Sequence, residues 1–325
     1  MTDRTSVTAI LLILVVLLSP CAIPAQTDYP SKPVSLVVPY PGGGSSTLVA
    51  NIIGDKMGEI LGKPFNLVNK PGGGTAVGSV YAINSKPDGY TLLLAAGAFL
   101  TLPLTMENAP YKVTDMTPIG RVTTGDFVLV VHKSVPANNL KEFIAYARSN
   151  PGKLSFVAGS SGSLPRLGGE LLKDRTKFDA QYIPYANPTQ SVPPLVGGHV
   201  HYGVIEATPA IPHIRSKDLK PLAIFSTKRH HELPDVPTFG EEGYPDVITY
   251  TYFILYAPAK TPPPIIAKLE NTLKTALQDK EVQQKLIKGD TRADFLNTEE
   301  TKGFMAAELK RWSDVIKKSK LDFKD

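Results

Sequence analysis

The stretch VSLVVPYPGGGSS, residues 34–46, is the most informative part of this chain for both fold and function. A short apolar strand runs into three consecutive glycines, and a helical pattern begins directly after Ser45 and Ser46. Glycines let the backbone approach a ligand closely, and a helix N-terminus presents N–H groups and the positive end of its dipole. This order of strand, glycine-rich loop and helix predicts an anion-binding site.

The same alternation of strand and helix continues on both sides of this stretch. The first unit contains strands at 34–38, 65–68 and 90–95, with helices at 48–61 and 75–84 between them. Short loops between alternating strands and helices predict an α/β fold with a parallel, doubly wound sheet.

A second unit repeats the pattern without repeating the sequence. Its strands are predicted at 127–131 and 154–158, its helices at 140–149 and 165–173, and a Gly/Ser turn at 159–163. Further on, apolar residues that recur at helical spacing predict one more helix, and a last helix is predicted over about 298–318. We expect both of these helices to pack on the first sheet. The recurring apolar residues are Ile266, Leu269, Leu273 and Leu277.

The composition is that of a globular protein that does not bind nucleic acid. The chain has 325 residues, 42% hydrophobic and 20% charged, with a net charge of +5. A nucleic-acid-binding protein clusters its basic residues, whereas here Lys and Arg are spread along the chain and accompanied by acidic residues.

The N-terminus has the pattern of a signal peptide, residues 1–25. Arg4 precedes an apolar run over 7–18, which is too short to span a bilayer comfortably, and Ala25 is a suitable last residue before cleavage. Cys21 is the only cysteine; a lipid anchor there is disfavoured by Pro20. The mature chain is therefore predicted to be a periplasmic protein without thiol chemistry.

Two nucleotide-binding motifs are absent from the glycine-rich segments. The loop at 42–44 lacks the third glycine of a dinucleotide fingerprint, and the next strand ends at Asn69, not at an acidic residue. A Walker A loop fails because Pro64 follows Gly62 and Lys63, and Met57 stands where its first glycine belongs. No cofactor is predicted.

Two further kinds of site have to be considered, a metal site formed by histidines and a nucleophile among the serines of the second turn. His199, His201 and the pair His230-His231 offer no third metal ligand at recognisable spacing, so we expect surface or sheet-edge histidines and no metal. Ser160 or Ser161 would be the nucleophile of a hydrolytic enzyme, but the sequence places no general base beside them. A binding protein is favoured over an enzyme.

Seven short motifs then occur in one order behind the signal peptide. They are PYPGGG at 39–44, NKPG at 69–72, PDGYTL at 87–92, NPGKL at 150–154, GEL at 169–171, IPY at 183–185 and LPDVPT at 233–238. Together they resemble the Bug family, the extracytoplasmic solute receptors of tripartite tricarboxylate transporters. The resemblance covers essentially the whole mature chain.

The resemblance implies a two-lobe periplasmic binding protein, type II-like, with the ligand in the cleft. Each lobe is a mainly parallel sheet flanked by helices, lobe one formed by 27–126 plus 250–325 and lobe two by 127–249. Such receptors capture a small carboxylate and pass it to the membrane permease subunits of a secondary transporter. We expect a monomer that binds a dicarboxylate or an aromatic acid.

The family's ligand contacts carry over to positions in both lobes. They are Tyr40, Gly43, Gly44, Ser45, Ser46, Thr47, Gly97, Ser160, Gly162, Ser163, Arg166, Tyr185 and Glu206.

Several of these positions depart from the family pattern. Thr47 replaces a frequent Asp, which disfavours an amino-acid ligand and leans toward an aromatic or apolar carboxylate. Arg166 replaces a His and is either a bidentate partner for a second carboxylate or an exposed helix residue. Glu206, where many members have Asn, is either a ligand contact or solvated. The identity of the ligand is not readable from the chain.

Overall fold

The computed structural model describes residues 29–160, 162–185 and 189–319; the predicted leader with Cys21, Ser161 and residues 186–188 lie outside them. Strands β1 to β10 cover, in order, Val34–Val38, Phe65–Asn69, Thr91–Ala96, Met116–His132, Ser155–Val157, Gln181–Ile183, Tyr202–Glu206, Leu219–Ile224, Tyr250–Pro258 and Arg292–Leu296. Helices α1 to α10 cover Ser45–Leu61, Ala76–Ile83, Ala98–Thr105, Leu140–Ser149, Leu164–Thr176, Val192–Val196, Ala207–Arg215, Pro263–Gln278, Lys280–Lys288 and Thr298–Ser319.

The strands form two sheets that share the long strand β4. The first sheet has the order β2-β1-β3-β9-β4, with β10 also paired to β4. The second has the order β4-β7-β5-β6, with β8 also paired to β4. In each sheet three strands are parallel, β1–β3 and β5–β7, while β4, β8, β9 and β10 pair antiparallel. The predicted α/β architecture is confirmed, and both sheets are mixed.

Strand β4 passes from one sheet to the other between two consecutive residues. Asp126 is the last residue of β4 to pair with β9, opposite Tyr250. Phe127 is the first to pair with β7, opposite Glu206. The backbone therefore crosses between the sheets without leaving the β conformation.

The helices cover the sheets through apolar faces that the periodicity indicated. Ile266, Leu269, Leu273 and Leu277 of α8 are all buried, in a cluster with first-sheet residues such as Leu92. The last helix contributes the fully buried Trp312 to another cluster, whose members come from both sheets. The two units are thus joined by a continuous core as well as by strands.

A buried polar junction ties the second sheet to the segment before β10. The His230 Nε2 atom lies 2.6 Å from Asp290 Oδ1, and both side chains are almost inaccessible to solvent. The Thr208 hydroxyl donates to the Gly289 carbonyl at 3.0 Å and lies 3.3 Å from Asp290 Oδ2. The expectation of a surface histidine is wrong for His230, because its partner lies 60 residues away in sequence.

This junction does not have the hydrogen bonding of a metal site. His230, His231 and Asp290 place one candidate ligand atom each within 4.8 Å of one another. However, His230 Nδ1 accepts from the Glu232 backbone N–H, so the proton sits on Nε2 and is donated to Asp290. The lone pair that a metal would need on Nε2 is therefore occupied.

We predict that Asp290→Ala lowers the free energy of unfolding by about 1–3 kcal/mol, because it leaves the buried Nε2–H of His230 without an acceptor. Urea unfolding followed by circular dichroism measures this change. The matched control is Asp218→Ala, which removes a carboxylate paired with Lys133 at the surface; it should change stability much less. Equal effects of the two variants would show that the junction is not stabilising.

Candidate ligand-binding cleft

A cleft that opens to solvent lies where the two sheets meet. It is bounded by the ends of β1, β3 and β7, the starts of the helices that follow them, the turn before α5, and the crossing region of β4 and β9. Its lining residues are Tyr40, Pro41, Gly44, Ser45, Ser46, Ala96, Gly97, Ala98, Phe127, Ser160, Ser163, Leu164, Pro165, Glu206, Thr251 and Phe253.

Four helices begin at the cleft, and none of them has a side-chain cap. The residues that precede α1, α3, α5 and α7 are Gly44, Gly97, Ser163 and Glu206. The Ser163 hydroxyl donates to the Ala158 carbonyl at 2.7 Å and so does not cap its own helix. The first N–H groups of a helix have no intrahelical acceptor, and here the side chain of the preceding residue supplies none; in α5, Pro165 has no N–H group. These four ends direct partial positive charge toward one space.

Three helices that begin elsewhere have side-chain caps, whereas α2 and α6, which have none, each continue directly from a short 3-10 helix. Asn139 accepts from the Glu142 N–H at the start of α4, and Asp279 accepts from the Glu281 N–H at the start of α9. Asn297 accepts from the Glu300 N–H at the start of α10. Uncapped α8 instead begins with Pro263 and Pro264, which have no N–H group. The open N–H groups are therefore concentrated at the cleft, where a bound anion can accept from them.

The walls of the cleft are mostly apolar. Phe127, Phe253 and Leu164 line it together with prolines and alanines, and no Arg, Lys or His is among the described residues that line it. Burial raises the pKa of Tyr40, which keeps its hydroxyl neutral and able to donate. The cleft therefore offers an anion backbone N–H groups and hydroxyls, not a cationic side chain.

Glu206 is the charged side chain in this lining, and it is buried, not solvated. It stands at the end of β7 with 8% of its surface exposed. Burial raises the pKa of Glu206 to about 7; a hydrogen bond from Ser45 acts in the opposite direction, and the nearby Asp290 adds to the rise. The Ser45 contact also links the first helix to the second sheet across the cleft.

Two further contacts hold the sides of the cleft together. The Thr101 hydroxyl of α3 donates to the Gly162 carbonyl at 2.5 Å. A Cβ atom on Gly97 would lie 2.2 Å from Leu164 Cδ1, so the start of α3 approaches the start of α5 as closely as glycine allows.

Eight of the predicted ligand contacts lie on the cleft. They are Tyr40, Gly44, Ser45, Ser46, Gly97, Ser160, Ser163 and Glu206. The others, Gly43, Thr47, Gly162, Arg166 and Tyr185, are not in its lining, and their contact with a ligand stays a prediction. Gly43 is exposed at a turn with φ +89°, and Gly162 packs against Leu102 and Thr105.

Arg166 is neither exposed nor in the lining of the cleft. Its side chain is buried, with the guanidinium 3.6 Å from the centre of the Tyr182 ring and 3.1 Å from Glu170 Oε1. The interpretation of an exposed helix residue is therefore wrong, because the first turn of α5 packs this side chain over the second sheet.

Phe127, Thr251 and Phe253 are lining residues that the sequence did not indicate. They lie on β4 and β9, beside the crossing point between the sheets. The alternating aromatic and aliphatic run YTYFILYAP at 250–258 is the signal that identifies β9 as a strand. Its neighbours in space come from β3 and β4, which no local pattern reveals.

The fold is that of known solute receptors. Residues 49–321 match the model of the tripartite tricarboxylate transporter family receptor, TctC. The chain belongs to this family. This TctC receptor is 34% identical over 302 residues to protein BugT of Bordetella pertussis, which covers 92% of the chain and 93% of BugT.

Solved structures of similar proteins have the same fold. The structure of R. palustris Rpa4515 with adipate has a TM-score of 0.85 at 28% identity and covers 90% of this chain and 99% of that chain. MatC from Rhodopseudomonas palustris with bound malate has a TM-score of 0.80 at 28% identity and covers 89% of this chain and 100% of that chain. The TctC receptor is a solute-binding protein with a periplasmic binding protein fold, not an enzyme, which removes the hydrolase alternative on Ser160 or Ser161.

Within the residues that the structure describes, none of the helices has the length and apolar character needed to cross a membrane.

We predict that the stability of the TctC receptor depends on pH through Glu206. Its pKa of about 7 in the folded chain lies above its ordinary value of 4.5, so folding favours the protonated form. The stabilisation is complete below about pH 4.5 and is lost as the pH rises through about 7. Relative to Glu206→Gln, the wild-type protein should lose on the order of 3 kcal/mol over this range.

Urea unfolding of both proteins at intervals between about pH 4.5 and 8 measures this difference. Two curves that stay parallel across the range would contradict a buried, titrating Glu206.

Proposed function

We propose that this TctC receptor captures a small carboxylate in the cleft and delivers it, as a periplasmic monomer, to the membrane permease subunits of a tripartite transporter. The observation that carries the proposal is the convergence of four uncapped helix N-termini on one space. Buried N–H groups without acceptors favour a ligand that supplies anionic oxygens. Related receptors hold adipate and malate in their structures.

The proposal includes two lobes, 27–126 plus 250–325 and 127–249. It is supported by the strand pairing at the crossing point, where β4 changes partner between Asp126 and Phe127. Closure of the lobes would remove water from the cleft and strengthen the contacts of both sides with the carboxylate. The Ser45–Glu206 and Thr101–Gly162 contacts are suited to hold such a closed state.

A thermal-shift screen tests the proposed function. The mature protein is screened against mono-, di- and tricarboxylates with aliphatic and aromatic skeletons. At about 100 times the dissociation constant, a binding carboxylate should raise the melting temperature by about 5 °C or more. The fully esterified methyl ester of each active compound is the control, and it should have no effect because it lacks the anionic oxygens. Equal shifts with acids and esters would contradict an anion-binding cleft.

A second prediction concerns the contact between the two sides of the cleft. Gly97→Ala should weaken binding of an active carboxylate at least about tenfold in calorimetric titration, because its Cβ atom meets Leu164 and Tyr252 and forces the sides apart. Gly303→Ala is the matched control, since a Cβ atom at this position in α10 meets nothing within 4 Å. Unchanged affinity in Gly97→Ala would show that binding does not require this close approach.

A further inference from the structure

The position of Glu206 restricts the ligand beyond its being a carboxylate. The cleft lining has no Arg, Lys or His among the described residues, so the carboxyl group of Glu206 has no cationic partner there. A second carboxylate placed against Glu206 would meet a like charge in a partly dehydrated space, which is unfavourable.

The groups that face Glu206 from neighbouring elements do not compensate its charge. The Ser45 hydroxyl of α1 faces it and lowers its pKa, and Tyr40 presents a neutral phenol. Asp290, on the segment before β10, adds a negative charge and is itself bonded to His230 and close to Thr208.

The arginine on the strand that pairs with β4 near the crossing point is already engaged. Arg292 of β10 forms a two-point ion pair with Asp126 of β4, at 3.0 and 3.2 Å. Its guanidinium is therefore held by the residue that precedes Phe127, on the strand that pairs with Glu206. Glu206 is left with Ser45 as its close donor.

A carboxyl group has room for more than one donor. The ionised form accepts at two oxygens, so a single hydroxyl leaves most of its capacity unused. A buried polar group with unused capacity is stabilised when a ligand supplies the missing donor. Glu206 also forms no capping hydrogen bond to α7, so the N–H groups of its own helix do not use this capacity.

We propose that Glu206 is the specificity residue of this receptor and selects a carboxylate that also carries a hydrogen-bond donor, a hydroxyl or an ammonium group, in preference to a dicarboxylate. This inference rests on the proposed function. It places the ligand carboxylate on the open helix N-termini and the donor group against Glu206. Ammonium-bearing ligands, which Thr47 in place of Asp disfavours, are compatible with this cleft because Glu206 supplies a carboxylate from its other side.

Two matched series of compounds test this selection by calorimetric titration at about pH 8. The aliphatic series is valerate, 5-hydroxyvalerate, 5-aminovalerate and glutarate, and the ring series is benzoate, 3-hydroxybenzoate, 3-(aminomethyl)benzoate and isophthalate. In at least one series, the wild-type protein should bind the hydroxy or amino compound about tenfold or more tightly than the dicarboxylate.

The variant Glu206→Gln distinguishes the two donors. It should lose about tenfold or more in affinity for an ammonium compound and gain affinity for the dicarboxylate, because the negative charge is gone. It should retain most of its affinity for a hydroxy compound, since the Gln amide oxygen still accepts. Glu107→Gln, which removes a charge from an exposed residue outside the cleft lining, is the control and should leave the order of affinities unchanged.

The outcomes separate this inference from the proposed function. A dicarboxylate that binds most tightly to the wild-type protein, or an order of affinities that Glu206→Gln leaves unchanged, overturns the role of Glu206 while the carboxylate receptor stands. Absence of binding by every carboxylate in both series and in the thermal-shift screen overturns the proposed function and this inference with it. Circular dichroism of Glu206→Gln confirms that the variant is folded in each case.

Discussion

The crossing of β4 between the two sheets is the constraint on which the rest of the molecule depends. Strand β4 pairs with β9 up to Asp126 and with β7 from Phe127 onward, so a single extended backbone segment belongs to both sheets. The cleft lies beside this point, and Phe127, Thr251 and Phe253 line it. Because these residues belong to strands hydrogen-bonded on both sides, the base of the cleft is rigid, and adjustment falls to the loops and helix ends around it.

The second organising feature is the set of hydrogen-bond donors that the fold leaves open. Four helices start at the cleft without side-chain caps, whereas α4, α9 and α10 use Asn or Asp for that purpose. Buried N–H groups without acceptors are unfavourable, so an empty closed cleft is less stable than one that holds an anion. The capacity to bind and the tendency to close on a ligand therefore have the same physical origin.

Much of the fold was predictable from local sequence patterns. The elements that pair with distant segments of the chain were not. The sequence predicted a unit of strand, Gly- or Ser-rich turn and helix on each side of the cleft. The apolar spacing of α8 predicted a buried face, which the structure confirms. Strands β6 to β10 were not predicted, and β4 is much longer than predicted. Each of these pairs mainly with segments far away in sequence, so its local pattern carries little information about its partner.

The sequence alone determined that residues 34–46 form a strand, a close-approach loop and a helix start, because glycine geometry and helix capping act within a few residues. It also determined membership of the receptor family, through seven ordered motifs. Only the tertiary structure decided the environment of individual side chains. It buried Glu206 against Ser45, packed Arg166 over Tyr182, and brought His230 to Asp290. Burial and charge pairing depend on which distant segments meet, and that is set by the packing of the whole chain.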